Sequence, residues 1–223
     1  MSKYLDKVPF VKYTRKEEWI SSISHMVGGG LAILALLMCV VKGILHRSVW
    51  YTVTGFVYTG TMIAMYTCSA VYHALHEHNG KKAMRLVDHT MVFFLIAGTI
   101  TPFALVALRQ ANAVMGWTLF GVAWGCTLSA AAMIFISFEK TKIPQMILCI
   151  AEGWMVIVIV KQLYELLSPG GFYTLLAGGI CYTVGAVLYG IGRKKKYFHN
   201  IFHFLVIAGS ILHFISIFVY VFK

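Results

Sequence analysis

Apolar residues in this chain come in long stretches, broken by short polar and charged segments. Stretches free of Asp, Glu, Lys and Arg run over 19–41, 48–76, 89–108, 110–138, 166–192 and 197–222. A further apolar stretch, 143–165, is interrupted only by Glu152 and Lys161, with Glu165 at its end. A bilayer core of about 30 Å takes about 20 apolar residues of helix. The pattern predicts an all-α fold, a seven-transmembrane helix bundle with helices near 23–42, 49–75, 87–108, 114–138, 144–165, 171–191 and 199–222. Turn residues mark the joins: His78-Asn79-Gly80, Lys142-Ile143-Pro144 and Ser168-Pro169-Gly170-Gly171. The loops are short, so residues 1–223 read as a single seven-helix transmembrane domain with no room for a soluble one.

Composition agrees. Of the 223 residues, 59% are hydrophobic and 12% charged, against about 45–50% and about 25% in soluble domains. A soluble core of this size cannot hide that excess. A disordered chain, a secreted disulfide scaffold and an ordinary cytosolic enzyme are excluded. The formal charge of +11 suggests nucleic acid at first sight, but the basic residues sit in short clusters between apolar runs. Such clusters flank membrane helices, which points to lipids and away from nucleic acid. Cys39, Cys68, Cys126, Cys149 and Cys181 all lie in apolar stretches without a CxxC pair, and read as small buried hydrophobes. The mixed-charge segment Met1 to Glu18 does not read as a signal peptide.

Lys and Arg in the loops set an orientation. The side holding the N-terminus carries 14 of them, including Lys3, Lys81, Arg85, Lys142 and the run Arg193 to Lys196, which would attract anionic head groups. The other side carries 5: Lys42, Arg47, Arg109, Lys161 and Lys223. The bias places the N-terminus in the cytoplasm and the C-terminus outside, opposite to G-protein-coupled receptors.

Ionisable groups at membrane depth are expensive, so each is a functional candidate. Seven of the nine histidines fall on the cytoplasmic side: His25, His73, His76, His78, His89, His199 and His203. Ser69 and His73 are four residues apart on one helix face, as are His199 and His203. Two imidazoles at that spacing can chelate one metal, and His73 arrives at the same depth from another helix. Three histidines with an open fourth position describe a catalytic zinc. Asp88, without a cation four residues away on its own helix, is placed to accept a proton from the metal-bound water or to orient it. Ser69 is placed to hydrogen-bond that water or a developing oxyanion. His76, His78 and Lys81 read as a solvated loop face, and His46 as an interfacial residue. His25 is either a partner of the site or an interfacial anchor. His213 lies too deep to share the metal and reads as a buried, hydrogen-bonded histidine. Lys161 snorkels outward, while Glu152 either faces a polar cavity or bonds a neighbouring helix. Gly28-Gly29-Gly30, with Gly121 and Gly125, read as sites of close helix packing.

These motifs together resemble the hemolysin III family, the bacterial branch of the PAQR (progestin and adipoQ receptor) membrane proteins. The pieces are EEWISSISH at 17–25, SAVYH at 69–73, the Asp88-His89 pair with AGTITPF at 97–103, and HNIFHFLVIAGSILHF at 199–214. The resemblance implies a cytoplasmic N-terminus, zinc on His73, His199 and His203 near the inner leaflet, and Ser69 and Asp88 as the accompanying polar pair. It further implies kinship with membrane hydrolases, ceramidases among them, that act on lipid amides. Glu152 departs from the family pattern, in which that position is apolar. The expectation is a bacterial plasma-membrane protein, a zinc-dependent hydrolase of a lipid amide or ester reached from the bilayer. A non-enzymatic membrane-homeostasis or receptor-like protein with structural zinc is the alternative. Hemolysin-type cytolytic activity is a further alternative, although no amphipathic insertion segment marks a pore former. A transporter is disfavoured because seven passes do not divide into two equal repeats.

Overall fold

A computed structural model describes residues 2–192 and 195–223. Arg193 and Lys194, half of the basic run at 193–196, lie outside the described residues, as does the side chain of Lys3. The described residues are helical, with no strand among them.

A short helix α1 (Ser2–Leu5) is followed by an irregular segment and then by α2 (Arg15–Leu45), α3 (Val49–Ala74) and α4 (Asn79–Pro102). A wider π-helical stretch, Phe103–Leu108, and one closing turn, Arg109–Ala111, extend α4. Next come α5 (Ala113–Ser137), α6 (Lys142–Trp154), α7 (Val160–Gly192) and α8 (Phe198–Ile215). A 3-10 stretch, Met155–Ile159, joins α6 to α7, and α8 ends in a π-helical stretch, Ser216–Val221.

Among the described residues, five stretches are long and apolar enough to cross a membrane: Arg15–Leu45, Asn79–Ala111, Ala113–Ser137, Lys142–Gly190 and Phe198–Val221. This differs from the expected seven in two places. Helix α3 has the length, at 26 residues, but carries Thr and Tyr throughout. It can do so because it packs against both α2 and α4, with Tyr58, Tyr66 and Tyr72 buried. The stretch from Lys142 covers two of the expected helices. Inside it, Ser168 leaves the helical region with φ 60° and ψ 166°. Pro169 explains the break, since it disfavours helical backbone in the preceding residue and offers no N–H to the ladder.

Helix α2 begins about two turns earlier than the apolar pattern alone places it. Thr14 caps it: its hydroxyl accepts from the Glu17 N–H, while the Thr14 N–H donates to Glu17 Oε2 at 2.9 Å. This reciprocal box satisfies two otherwise orphaned donors, so the charged residues 15–18 become the first helical turn.

Packing follows chain order, with α2 on α3, α3 on α4 and α4 on α5; α8 closes the arrangement against α2 and α7. Close contact between α2 and α3 depends on Gly28, where a Cβ would stand 2.8 Å from Tyr66 Cε1. Gly121 and Gly125 behave differently: nothing lies within 4 Å of a Cβ built on either, and both are exposed. The expectation that they serve close packing does not hold, because that face of α5 is turned away from the bundle. The five cysteines are free, and Cys39 is fully buried.

Large apolar side chains remain exposed around the bundle, among them Leu34, Leu37, Val122, Ile136, Ile147, Val158 and Val187. Such a girdle is what a lipid-facing surface requires. The polar residues instead turn inward. Tyr66 Oη donates to Ser210 Oγ at 2.7 Å, Tyr182 Oη lies 2.7 Å from the same hydroxyl, and Tyr58 Oη donates to the Ser210 carbonyl at 3.2 Å.

Candidate metal centre

Four helix ends meet at one end of the bundle: the start of α2, the end of α3, the start of α4 and the start of α8. On α3 and α8 the spacing of four residues sets pairs of side chains on one face. His73, His199 and His203 are all buried, and one ring nitrogen from each lies within 4.8 Å of the others. His199 Nε2 is 3.2 Å from His73 Nε2 and 3.0 Å from His203 Nε2.

Hydrogen counting shows what this triangle lacks. His199 Nε2 can carry at most one hydrogen, yet it faces two ring nitrogens at contact distance. Both contacts cannot be ordinary hydrogen bonds, because one hydrogen or one lone pair of His199 Nε2 would be shared between two partners, whereas a cation among the three would take a lone pair from each. Three nitrogens about 2.0–2.1 Å from a tetrahedral zinc would be about 3.3 Å apart. The residues thus fit a metal bound through three Nε2 atoms. Three buried imidazole nitrogens suit a transition-metal dication.

Around the triangle the contacts are specific. His73 Nδ1 is 2.6 Å from Glu18 Oε2, and the other oxygen of Glu18 accepts from Lys81 Nζ at 2.7 Å. Lys81 Nζ also donates to the Leu75 carbonyl at 2.9 Å. Lys81 is 5% exposed, so the expectation of a solvated loop face fails for it. It holds for His76 and His78, which are exposed. Helix α4 starts at Asn79, earlier than expected, and so carries Lys81 inward.

Glu17 serves the other side of the site. Its Oε1 accepts from the Tyr197 N–H at 2.8 Å, and its carbonyl accepts from Asn200 Nδ2 at 2.8 Å. Asn200 Nδ2 also donates to Ser21 Oγ at 2.9 Å. Neighbouring helical residues point about 100° apart, so Glu17 reaches α8 while Glu18 reaches α3. The two carboxylates fasten both histidine-bearing helices to α2.

His25 joins the cluster as well. Its ring lies 3.8 Å, centre to centre, from that of His203 and meets Tyr66 edge-on at 5.0 Å. Both its nitrogens are buried without a hydrogen-bond partner. Of the two roles left open for it, the structure selects the partner of the site. Tyr13, from the segment before α2, stacks on His199 with ring centres 4.6 Å apart and planes at 18°. Burial pushes the Tyr13 hydroxyl up from its ordinary pKa, so it stays a neutral phenol there.

Asp88 approaches from α4. Its carboxyl interacts with the Ser69 hydroxyl, with His73 and with the Arg85 guanidinium. Arg85 is 2% exposed, and its Nη1 donates to the Pro9 carbonyl at 2.6 Å. The expected pair of Ser69 and Asp88 is thus beside His73. His89 lies 3.3 Å from Tyr189 Oη and edge-on to Phe138, and the Tyr189 ring packs 5.6 Å from that of His199. His213 hydrogen-bonds the Leu175 carbonyl at 3.0 Å. His46 is exposed and beside Tyr51. Glu152 bonds a neighbouring helix: it is fully buried, and its Oε1 lies 2.7 Å from Thr127 Oγ1 on α5. Lys161 is exposed.

Sequence reasoning missed Glu17, Glu18, Tyr13, Lys81 and Asn200. One signal was available. Glu17, Ser21 and His25 recur every four residues, which is a polar helical face that begins before the apolar run.

Residues 13–214 match the model of the haemolysin-III related family. Hemolysin-3 of Bacillus cereus is 38% identical over 208 residues, covering 92% of this chain and 92% of that protein. The Hemolysin-3 homolog of Bacillus subtilis (strain 168) is 31% identical over 211 residues, covering 95% of this chain and 97% of that one. No solved structure matches. The chain belongs to the haemolysin-III related family, and with its apolar helices it is a multi-pass membrane protein.

Proposed function

We propose that this haemolysin-III related protein is a zinc-dependent hydrolase of a lipid amide or ester, of the ceramidase type and PAQR-like, in a bacterial plasma membrane. One observation carries the reading: three buried imidazole nitrogens converge at hydrogen-bond distance beside a carboxyl–hydroxyl pair. His73, His199 and His203 would hold the zinc. Bound there, zinc supplies Lewis acidity, which polarises a carbonyl and makes water a nucleophile near neutral pH. The chain's own residues handle the protons. Asp88 accepts the proton of the attacking water and returns it to the leaving nitrogen or oxygen. Ser69, which interacts with Asp88, orients that carboxyl and donates to the developing oxyanion. The exposed apolar girdle lets an acylated substrate approach from the bilayer.

Seven passes, with Ser168 separating two of them, complete the proposal. The Lys and Arg bias puts the N-terminus and the histidine cluster at the inner leaflet. The stacking of Tyr13 over His199 favours a second reading, a closed structural zinc in a non-enzymatic membrane-homeostasis or receptor-like protein. The test is metal analysis of the purified protein, followed by incubation with a panel of lipid amides and esters. About one zinc per chain with fatty-acid release supports the hydrolase. Zinc without release from any of them replaces it with the structural reading. Absence of zinc overturns both.

A further inference from the structure

We infer that Glu18, held by Lys81, is the positioning residue that makes His73 a metal ligand. The inference rests on the metal reading above and deepens it. A carboxylate oxygen can only accept, so the 2.6 Å contact puts the hydrogen of His73 on Nδ1. A neutral imidazole has one ring hydrogen. Nε2 therefore keeps its lone pair, and Nε2 is the atom that faces His199 at 3.2 Å. Glu18 thus selects the tautomer and the ring rotation that metal binding needs.

The other two histidines are held differently. Nδ1 of His199 has no hydrogen-bond partner, and His203 has at most the backbone of Ser21 near it, with no carboxylate. Packing orients them instead, by Tyr13 against His199 and His25 against His203. Among the three, His73 alone has a carboxylate behind it. A carboxylate there makes the imidazole a stronger donor, so its loss falls on His73 before it falls on the others.

Lys81 gives Glu18 its place. The ammonium joins Glu18 Oε1 at 2.7 Å and the Leu75 carbonyl at 2.9 Å. Leu75 caps α3 two residues after His73. One cation from α4 therefore ties the carboxylate of α2 to the helix end that carries the ligand. The Lys81 side chain is 6% exposed and that of Glu18 is 16% exposed. Glu17, one residue earlier, spends its carboxylate on Thr14 and Tyr197, so it fastens α8 without touching a ligand ring.

The experiment measures zinc affinity of the purified full chain by competition with a chelator, together with the visible spectrum of the cobalt-substituted protein. Glu18→Ala should bind zinc about 10–100-fold more weakly, with a shifted cobalt spectrum. Glu18→Gln keeps an acceptor atom but not the charge, so its loss should fall between wild type and Glu18→Ala. Lys81→Met should move both readouts in the same direction, and less. Glu17→Ala, which loosens α8 but touches no ligand ring, should lower the melting temperature with and without metal and weaken zinc binding less than Glu18→Ala does. Wild-type zinc affinity and spectrum in both Glu18 variants would overturn the inference while leaving the metal site standing. If Glu18→Ala fails to fold, Glu18→Gln decides alone. A wild-type chain that binds no zinc would instead remove the metal reading itself.

Discussion

Replacing His203 with alanine tests the centre most directly. The ring is 1% exposed, with Nε2 3.0 Å from that of His199. Structural zinc sites with four protein ligands bind with about 10–16 kcal/mol at neutral pH. Each ligand then contributes about 2.5–4 kcal/mol, so losing one of three should weaken zinc by about 10²–10³-fold. The assay is zinc content after dialysis against a graded chelator, with thermal unfolding in detergent alongside it. At free zinc about 1,000 times the wild-type Kd, binding stabilises the fold by about 4.1 kcal/mol. A hundredfold weaker site leaves about 1.4 kcal/mol of that stabilisation. The zinc-dependent rise in melting temperature should therefore shrink to about a third. His203→Ala also leaves a void beside His25, which lowers the metal-free stability as a separate, zinc-independent effect. If His73→Ala, His199→Ala and His203→Ala all retain zinc through dialysis, the three-histidine reasoning is wrong.

Four further outcomes test other parts of the molecule. Asp88→Asn should lower turnover of a short-chain ceramide by about 10²–10⁴-fold at saturating zinc, with metal content unchanged; loss of zinc in excess metal would make Asp88 part of the metal site. A reporter fused after Lys223 should read as external and one inserted at 193–196 as cytoplasmic, and the reverse pattern would move the histidine cluster to the outer leaflet. Glu152→Gln should be neutral or stabilising in thermal unfolding. Thr127 Oγ1 has one hydrogen for two acceptors, Glu152 Oε1 at 2.7 Å and the Phe93 carbonyl at 3.1 Å, and an amide supplies the missing donor. Glu152→Lys should cost about 3–5 kcal/mol by burying an unpaired charge, and an unchanged melting temperature would contradict the buried placement.

Much of this protein is carried by local pattern. Long apolar runs cannot be stable in water, so helical membrane segments follow from the chain alone. The four-residue spacing of His199 and His203, and of Ser69 and His73, obliges each pair to share a face wherever its helix sits. The placement of polar groups at helix ends brings these pairs to one level of the bundle. What hydrophobicity could not mark was where a helix begins once its first turns are charged. A segment such as Arg15 to Glu18 looks like a loop when judged by apolarity, although a capping box makes it helix. The same blindness hid Lys81, whose charge suggests solvent until α4 carries it to Glu18. Which of two adjacent glutamates meets which partner is settled by helix rotation and by the neighbours that packing supplies. His25 shows the limit most clearly: its sequence position suits an anchor at the interface or a member of the site equally well. Only the approach of α8 to α2 puts His203 against it, because contacts between residues far apart in the chain are fixed by tertiary packing and leave no periodic trace in the sequence.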